Sequence, residues 1–192
     1  MRNQKLKSSS SYRFKIASEP WEFEQVYRLN YLTFVEEIPQ HEFSPKRLLL
    51  DKFHENNTYF ICLRDKQLVG MVSVADKRPF SMDIKFENIG ETLDPYLPES
   101  FSKCEIRLLA VDKGHRKGRV LQGILTMLAQ HCKRAGYDVA IISGTVRQLD
   151  FYKRLGFVAF GPIVGAPEAR FQPMYLKLES VEERMGRLFR SR

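Results

Sequence analysis

A basic, glycine-containing loop runs Asp112-Lys113-Gly114-His115-Arg116-Lys117-Gly118-Arg119, between an apolar run ending at Val111 and a long amphipathic segment. Backbone amides and cations that open onto a helix N-terminus make a phosphate site, because first-turn N–H groups lack intrahelical partners and the helix dipole favours an anion. A solvated surface turn has the same composition, so the loop alone admits both readings. Just upstream, Glu105 is a lone acid in the apolar run Cys104–Val111, where an acid calls for an explanation. A Glu105–Arg107 pair is one, since alternate strand residues share a face. A third feature lies downstream: Phe151-Tyr152-Lys153-Arg154-Leu155-Gly156-Phe157. Cys62, Cys104 and Cys132 are scattered, which suits core filling better than a disulfide framework or a zinc site, and no metal is expected.

These groups need elements to hold them. Tyr12–Ile16 alternates apolar and charged residues, the period of a half-buried strand. Ser18-Glu19-Pro20 predicts a helix start that runs toward Pro39. Ser44-Pro45 predicts a second helix, with Leu48, Leu49 and Phe53 on its apolar face. Thr58–Leu63 and Leu68–Ala75, joined by a four-residue polar break, predict an antiparallel hairpin. Residues 76–100 read as a long irregular excursion, and such connections usually serve function. Ser102–Val111 is then a strand. Leu121, Ile124, Leu125, Leu128 and Cys132 share one helical face that ends at Gly136. A buried strand at Val139–Ser143, a short helix at Val146–Leu155, and strands at Phe157–Gly161 and Met174–Leu178 complete the order.

The 192 residues fit one domain at 11–179, with a flexible basic tail at 1–10 and a basic helical tail at 180–192. Thirty-one Lys and Arg against 23 acids give a net charge of +8, which favours anionic partners such as phosphorylated cofactors or acidic proteins. No nucleic-acid-binding signature is present, so no nucleic acid is expected. No apolar run approaches the ~20 residues of a membrane span, and no secretory signal opens the chain, so the expected location is cytoplasmic.

The strand–loop–helix at 105–135 and the Phe151-Tyr152…Leu155-Gly156-Phe157 segment together resemble the GNAT superfamily of N-acyltransferases, over roughly Tyr12–Leu178. The resemblance implies an α+β fold, an α/β/α sandwich with a mixed, mainly antiparallel central sheet flanked by helices. It implies transfer of an acetyl or other acyl group from coenzyme A to a small amine or amino-acid acceptor, with acetyl-CoA or another acyl-CoA as donor. Pyrophosphate contacts then fall on Arg116, Lys117, Gly118, Arg119, Val120 and Leu121, and donor contacts on Leu109 and Val111. The family's two glycine positions, separated by one residue, are incompletely present, since Gly118 is followed by Arg119 and Val120. Tyr152 takes the place of the acid that protonates the departing thiolate; helix packing is its structural alternative. Glu105 takes the place of the base that relieves the attacking amine of a proton. The first helix also resembles, loosely, the branch containing N-acyl amino acid and acyl-homoserine-lactone synthases. Asn30 stands there in place of the usual arginine, and that branch implies acyl carrier protein as an alternative donor. A non-catalytic GNAT-like binding module is a third reading. The acceptor is expected between the first two helices, the 76–100 excursion and the Gly161–Pro173 loop, with Arg170, Phe171 and Gln172 as wall candidates by position alone; taken singly, each reads better as an ordinary loop residue.

Overall fold

The alternating run at Tyr12–Ile16 forms an edge strand, and the later apolar runs join it in one sheet. The structure, a computed structural model, describes residues 11–167 and 169–181. Its described strands are β1 (Tyr12–Ile16), β2 (Thr58–Arg64), β3 (Gln67–Ala75), β4 (Lys103–Val111), β5 (Val139–Thr145), β6 (Val158–Ala159) and β7 (Phe171–Lys177). They lie in the order β1-β2-β3-β4-β5-β7-β6, antiparallel throughout except for β4 beside β5. The β2–β3 hairpin turns on Asp65 and Lys66, both at positive φ, the conformation a tight two-residue hairpin turn requires.

Helices cover both faces, as the α+β sandwich expectation holds. Helix α1 (Pro20–Tyr31) buries Val26 and Leu29 against Tyr59, Ile61 and Met71. On the same side, α2 (Ser81–Glu87) buries Met82 and Phe86 against Val139 and Ile141. The opposite face carries α3 (Arg119–Ala135) and α4 (Leu149–Leu155), with Ile124, Leu128 and Leu155 against Phe60, Val72 and Ala140. Strand alternation sorts these residues, since Phe60 and Cys62 point to α3 while Tyr59 and Ile61 point to α1. Helix α3 sits close to the sheet. A β-carbon on Gly123 would lie 2.1 Å from Phe14 Cζ, and one on Gly70 would lie 2.5 Å from Val120 Cγ1. That close seating fixes where the N-terminus of α3 points.

Three local expectations are corrected. The start of α1 is closed by Glu22, not by the Ser18 side chain: its carboxylate accepts from the N–H groups of Ser18 (2.8 Å) and Glu19 (3.2 Å) and pairs with Lys15 (2.6 Å). The helix expected after Ser44-Pro45 is absent. Arg47 has φ +53°, which no right-handed helix tolerates, and the segment is instead tied by Leu49 N–H to Tyr27 O at 3.0 Å. The 76–100 excursion is not irregular throughout, because it contains α2. Arg78 holds it together through Asp83 and Asp94. The two terminal tails lie outside the described residues, apart from the first positions of the second.

Candidate active site

The site is a split in the sheet. Strands β4 and β5 pair only from Lys103–Glu105 to Val139–Ile141. Beyond Glu105 the β5-facing edge of β4 has no ladder partner. A bulge follows: Met71 pairs with Ala110 but Ser73 with Arg107, so β4 has one more residue than β3 across the interval, and Leu108 takes φ +55°. A bulge bends its strand and increases its twist. The space between the diverging strands belongs to a cavity of about 880 Å³.

The basic loop at 112–119 borders this cavity. Asp112 caps a short turn at Lys113–His115 by accepting from Gly114 N–H (2.9 Å) and meeting His115 Nδ1 (3.0 Å). Gly118, at φ +98°, then redirects the chain into α3, a conformation that favours glycine. The first intrahelical bond runs from Gln122 N–H to Gly118 O at 2.8 Å, so the amides of Arg119, Val120 and Leu121 precede the ladder. Their side chains differ in use: Arg119 and Lys117 are exposed, Val120 is buried in the core, and Leu121 lines the cavity. Arg116 is engaged within the protein. Its Nε donates to Val111 O (2.9 Å) and its two amino groups to the Glu37 carboxylate (2.6 and 2.7 Å). That pairing raises the Arg116 pKa and lowers that of Glu37. The arginine therefore pins the loop to the end of α1, which runs on as a π-helical turn at Leu32–Glu37. Leu109 and Val111 line the same wall.

Glu105 is 1% exposed and lies under the start of α2. Its Oε2 accepts from Ser81 N–H (2.8 Å), and its Oε1 from Ser81 Oγ (2.7 Å) and Met82 N–H (3.0 Å). Arg107 Nε stands 3.6 Å from Oε2, so the same-face pair read from the sequence is present. Arg107 is committed mainly elsewhere: it makes a two-pronged bond to Asp51 (2.9 and 2.8 Å) and lies over the Phe53 ring. Asp51 in turn accepts from Asn57 Nδ2 (3.1 Å), which also reaches Tyr59 OH. His54 joins that hydroxyl to Tyr27. This half-buried polar chain ties the segment before β2 to β4. Burial pushes the Tyr59 phenol up to about 12.

Tyr152 faces the cavity from α4, against Gly144 and with its hydroxyl donating to Gln148 Oε1 at 3.3 Å. Burial raises its pKa, outweighing the opposite effect of Thr145, so the phenol keeps its proton at neutral pH. Glu105 and Tyr152 thus line one cavity from its two sides. Phe171 lines the cavity, whereas Gln172 donates to loop carbonyls at Phe160 and Pro173. Arg170 and Gln172 are not among the lining residues.

Asp51, Ser81 and Lys85 are among the lining groups that went unread in the sequence. Lys85 Nζ donates to Ser81 Oγ (3.1 Å) and lies 5.4 Å from the Phe171 ring centroid. Burial lowers its pKa to about 8. Beyond the split, the cavity runs under α3 and α4 and is walled by Leu125, Leu128, Cys132, Leu155 and Phe157. The three cysteines are buried, with Cys104 and Cys132 in mutual contact. Among the described residues no cluster of three or more His, Cys, Asp or Glu is placed to hold a metal, and no helix is long and apolar enough to cross a membrane.

Solved structures share this architecture. FeeM, an N-acyl amino acid synthase from uncultured soil microbes, matches with a TM-score of 0.73 at 18% identity, over 92% of this chain and 96% of that chain. The acyl-homoserine-lactone synthase LasI matches with a TM-score of 0.72 at 16% identity, over 88% of this chain and 91% of that chain. An acyl-CoA N-acyltransferase from Pseudomonas aeruginosa matches at 0.58 and 16% identity, over 87% and 99%. The fold is that of the GNAT-like N-acyltransferases. No curated protein matches by sequence. The profile of the N-acyl amino acid synthase FeeM matches residues 25–178. The chain belongs to that family, and it is an acyl-transferring enzyme.

Proposed function

We propose that this enzyme transfers a long-chain acyl group from a thioester of coenzyme A or acyl carrier protein to the amino group of an amino acid. The observation that carries the reading is the cavity: about 880 Å³, continuing past the β4–β5 split into an arm walled by Leu125, Leu128, Leu155 and Phe157. An acetyl group would leave nearly all of that apolar surface uncovered, whereas a long chain buries it at about 25 cal/mol per Å². Phosphates of the carrier meet the open amides of Arg119–Leu121, with Lys117 and Arg119 nearby. Arg116 serves by holding the loop through Glu37 rather than by direct contact.

In the reaction, the amine nitrogen attacks the thioester carbonyl carbon, the C–N bond forms and the C–S bond breaks. The leaving thiolate takes the proton of Tyr152, a phenol that burial keeps protonated. The proton lost by the amine passes to Ser81 Oγ as that hydroxyl releases its own to Glu105, 2.7 Å away. Glu105 thereby holds α2 in place and receives a proton through Ser81.

The test is product analysis by mass spectrometry. The purified protein is given acetyl-, octanoyl- or palmitoyl-CoA, or the corresponding acyl carrier protein thioesters, with a mixture of amino acids. N-palmitoyl or N-octanoyl amino acids should form in preference to N-acetyl products. Faster acetyl transfer, or no transfer from any donor, would overturn the reading.

A further inference from the structure

The acceptor side of the cleft has unequal charge pairing. Arg107 is matched by Asp51 through two hydrogen bonds, and Glu105 by two amides and a hydroxyl. Lys85 has no carboxylate within ion-pair distance among the described residues: its ammonium meets Ser81 Oγ at 3.1 Å and the Phe171 ring. It lines the cavity with Ser81 and Glu105. A half-buried cation without an anion is costly to keep in place unless a ligand supplies the counter-charge.

The spacing identifies the ligand. Ser81 Oγ is the point at which the proposed reaction withdraws the amine proton, and Lys85 Nζ is one hydrogen bond away from it. In an α-amino acid the nitrogen and a carboxylate oxygen are also close neighbours, since only the α-carbon and carboxyl carbon separate them. An amine bound at Ser81 therefore presents an α-carboxylate to Lys85, whereas a carboxylate several methylenes further along would be carried past it. We propose that Lys85 is the carboxylate-binding residue of the acceptor subsite and selects α-amino acids over simple amines and ω-amino acids. Phe171, under the ammonium, forms an apolar wall of the same subsite. This inference rests on the N-acyl transfer reading above.

The test compares acceptors rather than a single rate. With palmitoyl-CoA as donor, the wild-type enzyme should acylate L-tyrosine and L-leucine far better than tyramine and isoamylamine. Lys85→Met should lower kcat/KM for the amino acids ~10–100-fold more than for the amines, the worth of a hydrogen bond to a charged group, because loss of the Lys85–Ser81 bond bears on both classes alike. Lys85→Arg should restore much of the preference. Wild-type enzyme supplies an independent arm if Lys85→Met does not fold. A des-amino acid such as 3-phenylpropionate should inhibit acylation of L-tyrosine competitively, whereas its uncharged amide, 3-phenylpropionamide, should inhibit much less. Equal losses on both acceptor classes, or no wild-type preference for the carboxylate, overturn the role of Lys85 while leaving acyl transfer intact. Acylation of neither class from any donor overturns the transfer reading, and this inference with it.

Discussion

Tyr152→Phe removes one oxygen and leaves the packing in place. The ring rests on Gly144, where a β-carbon would lie 2.9 Å from Tyr152 Cδ2, and stands edge-on to Phe151 and Phe157. Phenylalanine retains all three contacts. The hydroxyl's bond to Gln148 is long at 3.3 Å, so its loss changes stability by at most about 1 kcal/mol. The effect on rate is of another size. A positioned general acid contributes roughly 10²–10⁴-fold, or about 2.7–5.5 kcal/mol of barrier. Burial keeps the wild-type phenol neutral, so its proton is available across the neutral range. Release of free thiol from palmitoyl-CoA reports turnover, and calorimetry with a non-transferable thioether analogue reports donor affinity. The variant should lose at least ~100-fold in kcat with donor affinity unchanged. Retention of wild-type kcat would refute the acid role and leave Tyr152 as a packing residue.

Other perturbations bear on the rest of the site. Glu105→Gln sets an amide against the N–H groups of Ser81 and Met82 and removes a charge from three hydrogen bonds; it should destabilise the fold by about 2–4 kcal/mol in denaturant unfolding, besides slowing transfer. Lys117→Ala and Arg119→Ala should each raise donor KM several-fold at low ionic strength, and the difference should shrink at high salt, because exposed charges are screened. The preference for amino acids over amines should be full well below pH 8 and decline as pH rises through that value. Lys85, whose pKa burial lowers to about 8 and which is surrounded by Glu105, Asp51, Arg107 and Lys52, loses its charge as pH rises through that value. The ratio of kcat/KM for L-tyrosine and tyramine, followed from pH 6 to 10, checks this.

Most of the sheet was legible because its strands carry their own patterns. The Tyr12–Ile16 alternation, the β2–β3 hairpin and the face of α3 from Leu121 to Cys132 need no distant partner to be read. Helix α2 was missed for the opposite reason. It is seven residues long, and its first amides are held by Glu105, 24 residues downstream. Asp83, accepting from Phe80 N–H at 2.7 Å, with Met82 and Phe86 four apart on one face, was the local signal available. The false helix after Ser44-Pro45 had a valid start signal and apolar spacing, but tertiary ties won: Asp51 is drawn to Arg107 on β4, and Leu49 to Tyr27 on α1. Glu105 and Tyr152 were recognisable by place in the sequence. Asp51, Ser81 and Lys85 join them only through folding: the 76–100 excursion is marked as an acceptor wall by its length, but nothing local singles out Ser81 or Lys85 within it, and Asp51 lies in the segment that reads as a second helix. Arg116 shows a further limit, since a cation in a loop does not reveal that a glutamate 79 positions away has already taken it.

The most direct test of the account is a crystal structure with a non-transferable palmitoyl-CoA thioether. The alkyl chain should pass between β4 and β5 beyond Glu105 and lie against Leu125 and Leu128, with the reacting carbon between Tyr152 and Ser81 and the pyrophosphate at the start of α3. A chain lying outside the split, with the arm under α3 closed to it, would contradict the central claim.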